Sequence, residues 1–148
     1  MELIRTDSTH KDFIHLVHQL DEFLSEIDGE DHAFYNQFNS IETLKNVVLL
    51  RVDGIIIGCG AFKPYNDHTI EIKRMFVLPE KRKLGAASAI LTELELWAVE
   101  LSFKRSILET GLEMKSAIRL YQLKGYEQIP NYGQYLGAVN SVCFEKRL

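Results

Sequence analysis

The chain has 148 residues, of which 46% are hydrophobic and 26% are charged, and its formal net charge is -4. This composition predicts one globular domain, residues 1–148, built around a single core. The negative charge argues against a general nucleic-acid-binding protein, because neutralising a phosphate backbone requires a basic surface. The longest apolar run, residues 54–62, is too short to cross a membrane, and residues 1–5 do not open a signal peptide. We therefore expect a cytoplasmic protein that makes no membrane contact.

The cysteines and histidines give no sign of a metal site. Cys59 and Cys143 lie in apolar or β-rich segments and not at paired short spacing, so we predict buried thiols without a disulfide. The five histidines lack a companion cysteine or carboxylate at ligand spacing. No bound metal is expected.

The beginning of the chain predicts a strand and two helices. Residues 1–5 form a short strand, and Asp7 or Ser8 is expected to cap the helix that follows. Apolar residues recur along that helix at three- and four-residue steps, which is typical of a face packed on a core. A glycine and several acidic residues at 27–32 interrupt the pattern, and a second, shorter helix is predicted within residues 34–45.

The middle of the chain predicts three strands. Residues 46–51 and 55–62 are β-branched and apolar, and Asp53-Gly54 between them is the strongest local signal for a β-hairpin. The next strand, residues 69–77, changes its alternation of apolar side chains part of the way along. This change of phase predicts a bulge near residues 73–75.

The second half predicts a helix, a strand, a second helix and two final strands. Gly125 stands where a helix C-cap glycine is expected, and Glu93, Glu95 and Glu100 are predicted to lie on the outer face of the first of these helices. The five elements are residues 85–101, 106–109, 116–124, 126–129 and 139–145. The predicted order is β-α-α-β-β-β-α-β-α-β-β, an α/β fold with a mixed sheet and helices on both faces.

Residues 77–87 join a strand to a helix through a basic turn of small residues. The first N–H groups of a helix have no internal partners and lie at the positive end of the helix dipole, so phosphate oxygens bind well there. Gly85, Ala86 and Ala87 would let a ligand approach that backbone closely. The sequence thus predicts a site for a phosphorylated ligand, the alternative being a solvated surface turn before an ordinary helix.

The segment Arg82-Lys83-Leu84-Gly85-Ala86-Ala87 resembles the signature of the GCN5-related N-acetyltransferase (GNAT) superfamily. That signature is Arg or Gln, two residues, Gly, one residue, then Gly or Ala. The preceding strand, residues 71–77, and the later segments 108–111 and 117–126 resemble the elements that surround the signature in the family. The resemblance covers the last two thirds of the chain closely and the first third by length and element order.

The resemblance implies a single GNAT domain with a mixed, mostly antiparallel sheet. It implies transfer of an acetyl group from acetyl-CoA, the cosubstrate, to a primary amine by direct attack in a ternary complex. The acceptor would be a small-molecule or peptide amine, and a homodimer is left open. A sensor that binds acyl-CoA without catalysis is the alternative, and it would need the turn but neither a general acid nor a base.

The family pattern also implies roles for individual residues. The backbone of the turn would bind the pyrophosphate, and the end of the preceding strand would contact the pantetheine arm, with the N–H of Met75 or Phe76 donating to the oxyanion. The cofactor-binding residues are therefore expected to be Met75, Phe76, Val77, Arg82, Lys83, Leu84, Gly85, Ala86 and Ala87.

Three residues are predicted to carry catalysis. Tyr121 matches the tyrosine that family members place near the coenzyme sulfur, so it is the expected general acid, the alternative being a core tyrosine. Glu71 and Glu109 are the two candidates for the general base. Each could instead form an ion pair with Lys73, Arg74 or Arg105, and Ile70 and Ile72 indicate a partly buried setting for Glu71.

The sequence predicts the acceptor site less clearly than the coenzyme site. The loop between the first two helices and the last hairpin would roof it, and their acidic and aromatic residues would suit a cationic amine. The substrate residues expected there are Asp28, Glu30, Asp31 and Tyr132, unless the acidic loop is merely solvated. Met114 stands where many relatives have an asparagine that contacts the coenzyme, which predicts weaker binding on that side or compensation by Lys115 or Ser116.

Overall fold

The computed structural model describes residues 1–29 and 43–148, which contain seven strands and three α-helices. The strands are β1 (Glu2–Thr6), β2 (Asn46–Val52), β3 (Ile55–Pro64), β4 (Thr69–Val77), β5 (Arg105–Gly111), β6 (Glu127–Ile129) and β7 (Ser141–Arg147). The helices are α1 (Lys11–Asp28), α2 (Ala86–Glu100) and α3 (Lys115–Leu123). Within the described ranges, no helix has the length and apolar character needed to cross a membrane.

All seven strands belong to one sheet, in the order β1-β2-β3-β4-β5-β7-β6. β4 and β5 run parallel, whereas β1 with β2, β2 with β3, β5 with β7 and β6 with β7 are antiparallel. The predicted α/β class and the mixed, mostly antiparallel sheet are confirmed. Of the predicted second helix, residues 34–42 lie outside the described part of the chain, and residues 43–45 are not helical.

The β2–β3 hairpin forms where Asp53-Gly54 predicted it. Val52 pairs with Ile55, and Asp53 and Gly54 between them have φ angles of 51° and 79°. Positive φ at both central residues is the requirement of a type I′ turn, whose twist matches that of the strands it joins. Local turn chemistry therefore sets the pairing next to the turn, and a bulge shifts the register between Arg51 and Leu50.

The chain divides into two compact units, and the first comprises residues 1–63 and 73–94. Successive residues of β3 point to opposite faces of the sheet. Cys59 and Ala61 are buried in a core cluster with Phe13, Leu16, Val17 and Leu20 of α1. Gly60, which points the other way, lies against Ile90 and Leu94 of α2. Helices α1 and α2 therefore cover opposite faces of β3, as predicted.

Glycine on β3 allows α2 to lie very close to the sheet. A Cβ atom added at Gly60 would meet Met75 Sδ at 2.5 Å, Ile90 Cγ2 at 2.8 Å and Leu94 Cδ1 at 2.9 Å. At Gly58, a Cβ would lie 3.0 Å from Ile90 Cδ1. Helix α2, which follows the basic turn, can therefore pack closely against β3 because Gly58 and Gly60 have no side chains.

The predicted irregularity in β4 is present at Arg74. Its φ angle is +58°, a left-handed conformation that is uncommon for a residue with a side chain. The Arg74 side chain is buried and pairs with Asp21 of α1, and its carbonyl accepts a hydrogen bond from the Cys59 thiol. The break in alternation thus turns a charged side chain towards α1.

The second compact unit comprises residues 64–72 and 95–148. β5 and β7 pair along their whole length, from Arg105 with Arg147 to Gly111 with Ser141. Glu95 was predicted to lie outside, which is wrong: its side chain is only 12% exposed. Its two oxygens accept hydrogen bonds from the Tyr126 hydroxyl and the Lys146 ammonium, so the buried carboxylate is compensated.

The helix ends follow the sequence only in part. Gly125 has a φ angle of 93° directly after the C-cap of α3, as predicted. Helix α1 is capped by His10, whose Nδ1 accepts from the Asp12 N–H, so the expectation of Asp7 or Ser8 is wrong. The Ser8 hydroxyl instead accepts from the Leu44 N–H.

Candidate active site

The turn between β4 and α2 is exposed and irregular. It contains a short 3-10 turn, Pro79–Lys81, followed by positive φ angles at Lys83 (68°) and Gly85 (78°). A Cβ atom at Gly85 would meet nothing within 4 Å, so the glycine is required by its backbone conformation and leaves open space beside it.

Helix α2 begins directly after this glycine. Its first helical hydrogen bond runs from the Ala89 N–H to the Gly85 carbonyl, at 3.0 Å. Helical geometry therefore provides no acceptor within the helix for the N–H groups of Ala86, Ala87 and Ser88. These groups lie at the positive end of a helix of 15 residues, an arrangement suited to anion binding.

Arg82 is exposed, but its side chain is held by contacts with the end of β4 and with two aromatic rings. Its Nε donates to the Val77 carbonyl at 3.0 Å, and its guanidinium lies over the rings of Phe23 and Phe76, 5.3 and 5.7 Å from their centroids. The cation therefore stays close to the end of β4. Lys83 and Leu84, which follow it in the turn, are exposed.

The end of β4, which the sequence assigned to the coenzyme arm, extends past the part of the strand that pairs with β5. The parallel pairing of β4 with β5 covers Thr69 to Glu71 and ends at Glu71 with Ile107. Met75 is half-buried, and Phe76 and Val77 are buried. These residues follow the bulge at residue 74.

Glu71 is a buried carboxylate. The residue is 3% exposed, and its Oε2 accepts a hydrogen bond of 2.6 Å from the Tyr132 hydroxyl. Two of the expected competitors for this carboxylate have partners elsewhere: Arg74 pairs with Asp21, and Arg105 with Glu145. The sequence predicted partial burial for Glu71 but not its tyrosine partner, which is 61 positions away.

Glu109 and Tyr121 lie in the same compact unit as Glu71. Glu109 is half-buried, and its Oε2 accepts from the Ser141 hydroxyl at 2.7 Å. Tyr121 is the buried residue of α3, and its ring packs edge-on against Tyr126. Burial and the charge of Glu109 raise the pKa of Tyr121 well above its ordinary value.

A group of tyrosines that the sequence did not assemble is centred on Tyr132, the hydrogen-bond donor to Glu71. Tyr132 contacts Tyr65 and Tyr135 edge-on, at 5.4 and 5.7 Å between ring centroids. Burial and the charges of Glu109 and Glu71 raise the pKa of Tyr135. The closely spaced tyrosines at 132 and 135 were visible in the sequence, whereas nothing marked Tyr65 as their neighbour.

Other expected substrate residues are described only in part. Asp28 is the last residue of α1, and Glu30 and Asp31 lie outside the described residues. Met114 is the N-cap residue of α3 and makes no side-chain capping hydrogen bond. A methionine cannot satisfy the first N–H groups of the helix as an asparagine would.

The basic turn and residues 75–77 belong to the first unit, and Glu71, Glu109, Tyr121 and Tyr132 belong to the second. In the described ranges, no group of three or more His, Cys, Asp or Glu side chains is arranged to hold a metal ion.

The fold is that of an acetyltransferase of the GNAT type. The model of the acetyltransferase (GNAT) family matches residues 13–126, and the chain belongs to this family. The resemblance carried by the turn is thus confirmed.

Two curated relatives illustrate the range of the match. An IAA acetyltransferase of Azospirillum brasilense is 27% identical over 140 residues, which are 91% of this chain and 90% of the relative. The uncharacterized N-acetyltransferase YjgM of Escherichia coli K12 is 32% identical over 103 residues, or 68% of this chain and 60% of the relative.

Solved structures show the same fold. A Klebsiella pneumoniae protein described as a candidate acyl-CoA N-acyltransferase superposes with a TM-score of 0.83 at 26% identity, covering 99% of this chain and 97% of its own. A GNAT family acetyltransferase from Elizabethkingia anophelis, solved with acetyl-CoA bound, has a TM-score of 0.61 at 21% identity, covering 70% and 76%. At that identity the second likeness shows the fold alone.

Proposed function

We propose that this protein is a single-domain N-acetyltransferase, residues 1–148, which transfers an acetyl group from acetyl-CoA to a primary amine in the cytoplasm. Family membership supports acetyl transfer, and the acetyl-CoA bound to the Elizabethkingia anophelis protein supports the choice of cosubstrate. The observation that carries the proposal is the exposed turn that ends at Gly85, where left-handed backbone leads directly into the first residue of α2.

In this proposal the diphosphate of acetyl-CoA binds the backbone of residues 82–87. The N–H groups of Ala86 and Ala87 donate to the phosphate oxygens, and the dipole of α2 adds favourable charge. Lys83 supplies positive charge beside them, while Arg82, held on Val77 and two aromatic rings, stiffens the turn. Anion binding here suits a protein whose overall charge is negative, because the attraction comes from local groups.

The reaction is a direct attack of the amine on the thioester carbonyl. Holding two reactants in the correct geometry lowers the barrier by roughly 7 to 11 kcal/mol, so positioning carries most of the rate. The N–H of Met75 or Phe76 would donate to the oxygen that becomes negative, and loss of such a donor typically costs about 100- to 1000-fold.

Two protons move in this reaction. Tyr121 gives its proton to the departing coenzyme thiolate, a role open to its phenol because a tyrosine is protonated at neutral pH. Glu71 or Glu109 takes the proton of the amine, directly or through water. Burial of Glu71 and its hydrogen bond with Tyr132 favour Glu71, since its carboxylate is held in a defined position.

The proposal is tested by two measurements on the same preparation. Calorimetric titration with coenzyme A should show binding, and release of free thiol from acetyl-CoA should accelerate with at least one member of a panel of primary amines. Binding without acceleration by any amine would instead identify an acyl-CoA sensor. Absence of binding by folded protein would reject the assignment altogether.

A further inference from the structure

Three contacting residues of the second compact unit become steadily less exposed from the surface to the interior: Tyr65, Tyr132 and Glu71. Tyr65 is 45% exposed, Tyr132 is half-buried, and Glu71 is 3% exposed. The Tyr65 and Tyr132 rings meet at 78° with 5.4 Å between their centroids. A Cβ added at Gly133 would lie 3.9 Å from the Tyr65 hydroxyl, so the lack of a side chain at residue 133 leaves room beside Tyr65.

Tyr132 remains a neutral phenol that donates to Glu71. Burial, the charge of Glu71 and the hydrogen bond to it all raise the pKa of Tyr132 above its ordinary value. A neutral phenol keeps the negative ring face that attracts cations, and it adds no charge of its own.

Glu109 adds a second negative charge on the same face of the sheet. Glu71 lies opposite Ile107 in the parallel pair, and Glu109 is two residues further along β5, so both carboxylates point to one side. The charges of both carboxylates contribute to the raised pKa of Tyr135. Two carboxylates and several phenol rings make this face attractive to a cation and repulsive to an anion.

We propose that Tyr65, Tyr132 and Glu71 determine acceptor specificity by binding the ammonium group of the incoming amine, and that they select amines with no carboxylate beside the nitrogen. This inference rests on the proposed function and narrows the class of amines that would serve as its acceptor. The ring face of Tyr65 contacts the cation at the surface, and the carboxylate of Glu71 binds it in the interior. An α-amino acid would bring its own carboxylate towards Glu71 and Glu109, where it is repelled.

The selectivity is tested with matched pairs of acceptors that differ by one carboxylate. Suitable pairs are 2-phenylethylamine with phenylalanine and agmatine with arginine. Each is titrated calorimetrically into wild-type protein saturated with coenzyme A, and kcat/KM for acetylation is measured alongside. The amine without the carboxylate should bind at least about tenfold more tightly in both pairs, because like charges repel strongly in a partly buried site. Equal affinity within both pairs would overturn the inference.

The role of the aromatic ring is tested at Tyr65. Tyr65→Leu should weaken binding of 2-phenylethylamine roughly 3- to 5-fold, the range of an exposed cation–π contact, and raise KM while kcat changes little. Tyr65→Phe keeps the ring and should restore the affinity. Leu136→Ala is the control, since it truncates an apolar side chain that is 74% exposed just beyond Tyr135 and should have no effect. A Tyr65→Leu affinity equal to wild type would reject the role of Tyr65.

The outcomes separate this inference from the proposed function. Acetylation of amines without discrimination would reject the specificity residues and leave the acetyltransferase assignment intact. Selective binding of the carboxylate-free amines without thiol release from acetyl-CoA would support the cation site and reject the proposed reaction.

Discussion

Arg74 and Asp21 form an ion pair between a strand and a helix, with 2.8 Å between Arg74 Nη1 and Asp21 Oδ1. The Arg74 side chain is 3% exposed and that of Asp21 is 34% exposed. Arg74 Nη2 is buried and has no hydrogen-bond partner among the residues that the structure describes. The pair joins the bulge of β4, immediately before Met75 and Phe76, to the body of α1.

Asp21→Ala should destabilise the protein by about 2 kcal/mol, because it leaves a buried guanidinium without its carboxylate. The expected loss is smaller than for a fully buried pair, since water screens the exposed part of Asp21. Urea unfolding measures the change. Glu22→Ala, which removes a neighbouring exposed carboxylate, is the control and should change the free energy of unfolding little. Equal effects of the two variants would show that the Arg74 pair contributes nothing specific.

Gly85→Glu should abolish binding of coenzyme A. Its φ angle of 78° costs a residue with a side chain roughly 1–2 kcal/mol, and the new carboxylate repels phosphate at the start of α2. Gly54→Glu is the matched control, because Gly54 has a φ angle of 79° and is also free of contacts within 4 Å. Calorimetric titration should show unchanged coenzyme affinity for Gly54→Glu. If Gly85→Glu binds as wild type does, the turn is not the diphosphate site.

Tyr121→Phe should lower kcat by roughly 100-fold or more, the usual contribution of a positioned general acid, while the affinity for coenzyme A stays nearly the same. Single-turnover kinetics with acetyl-CoA and titration with coenzyme A measure the two quantities separately. A parallel loss of affinity and turnover would mean that Tyr121 has a structural role, as its burial would allow. An unchanged kcat would remove it from the reaction.

Gly60→Ala should destabilise the protein by about 1–3 kcal/mol, because the added methyl group overlaps Met75, Ile90 and Leu94. Gly111→Ala is the control on β5, where an added Cβ would lie at an ordinary 3.6 Å from Met114 Cγ. Thermal or urea unfolding compares them. Equal stability of the two variants would show that α2 can move away from β3 without cost.

Alkaline pH should destabilise the protein through its buried thiols. Burial raises the pKa of Cys59 from 9.0 to about 12 and that of Cys143 to about 11. The unfolded chain therefore loses these protons first, so the stability they contribute is complete below pH 9.0 and falls as the pH rises towards those values. The loss is up to about 1.4 kcal/mol per pH unit for each thiol.

Urea unfolding at several pH values measures how steeply the free energy of unfolding falls with pH. The buried tyrosines add to this slope at pH values above the ordinary pKa of a tyrosine. Cys59→Ala removes one of the titrating groups and should make the pH dependence less steep. The same slope in wild type and Cys59→Ala would contradict the prediction.

Short-range patterns predicted much of the backbone. Asp53-Gly54 marked the hairpin, Gly125 marked the end of α3, and Gly85 marked the turn before α2. In each case the reason is the φ angle that a tight turn or helix end demands, which depends on the residue itself and its immediate neighbours. The phase change in β4 was also local, and it correctly located the bulge at residue 74.

Side-chain partners distant in sequence were not predictable in this way. Nothing near Glu71 identifies Tyr132 as its hydrogen-bond donor, and nothing near Glu95 predicts that Tyr126 and Lys146 bury it. The histidine cap of α1 was missed as well, because Asp7 and Ser8 are the better capping residues by type and are used elsewhere.

The sequence by itself determined the order of the described elements, the family signature at residues 82–87 and the turn that presents the start of α2. Only the tertiary structure decided which side chains meet at Glu71, how Arg74 is neutralised, and why Gly60 must remain small. The physical reason is that backbone conformation responds mainly to near neighbours and to hydrophobic periodicity. Buried charges and close contacts, by contrast, depend on how strands and helices far apart in the chain pack together.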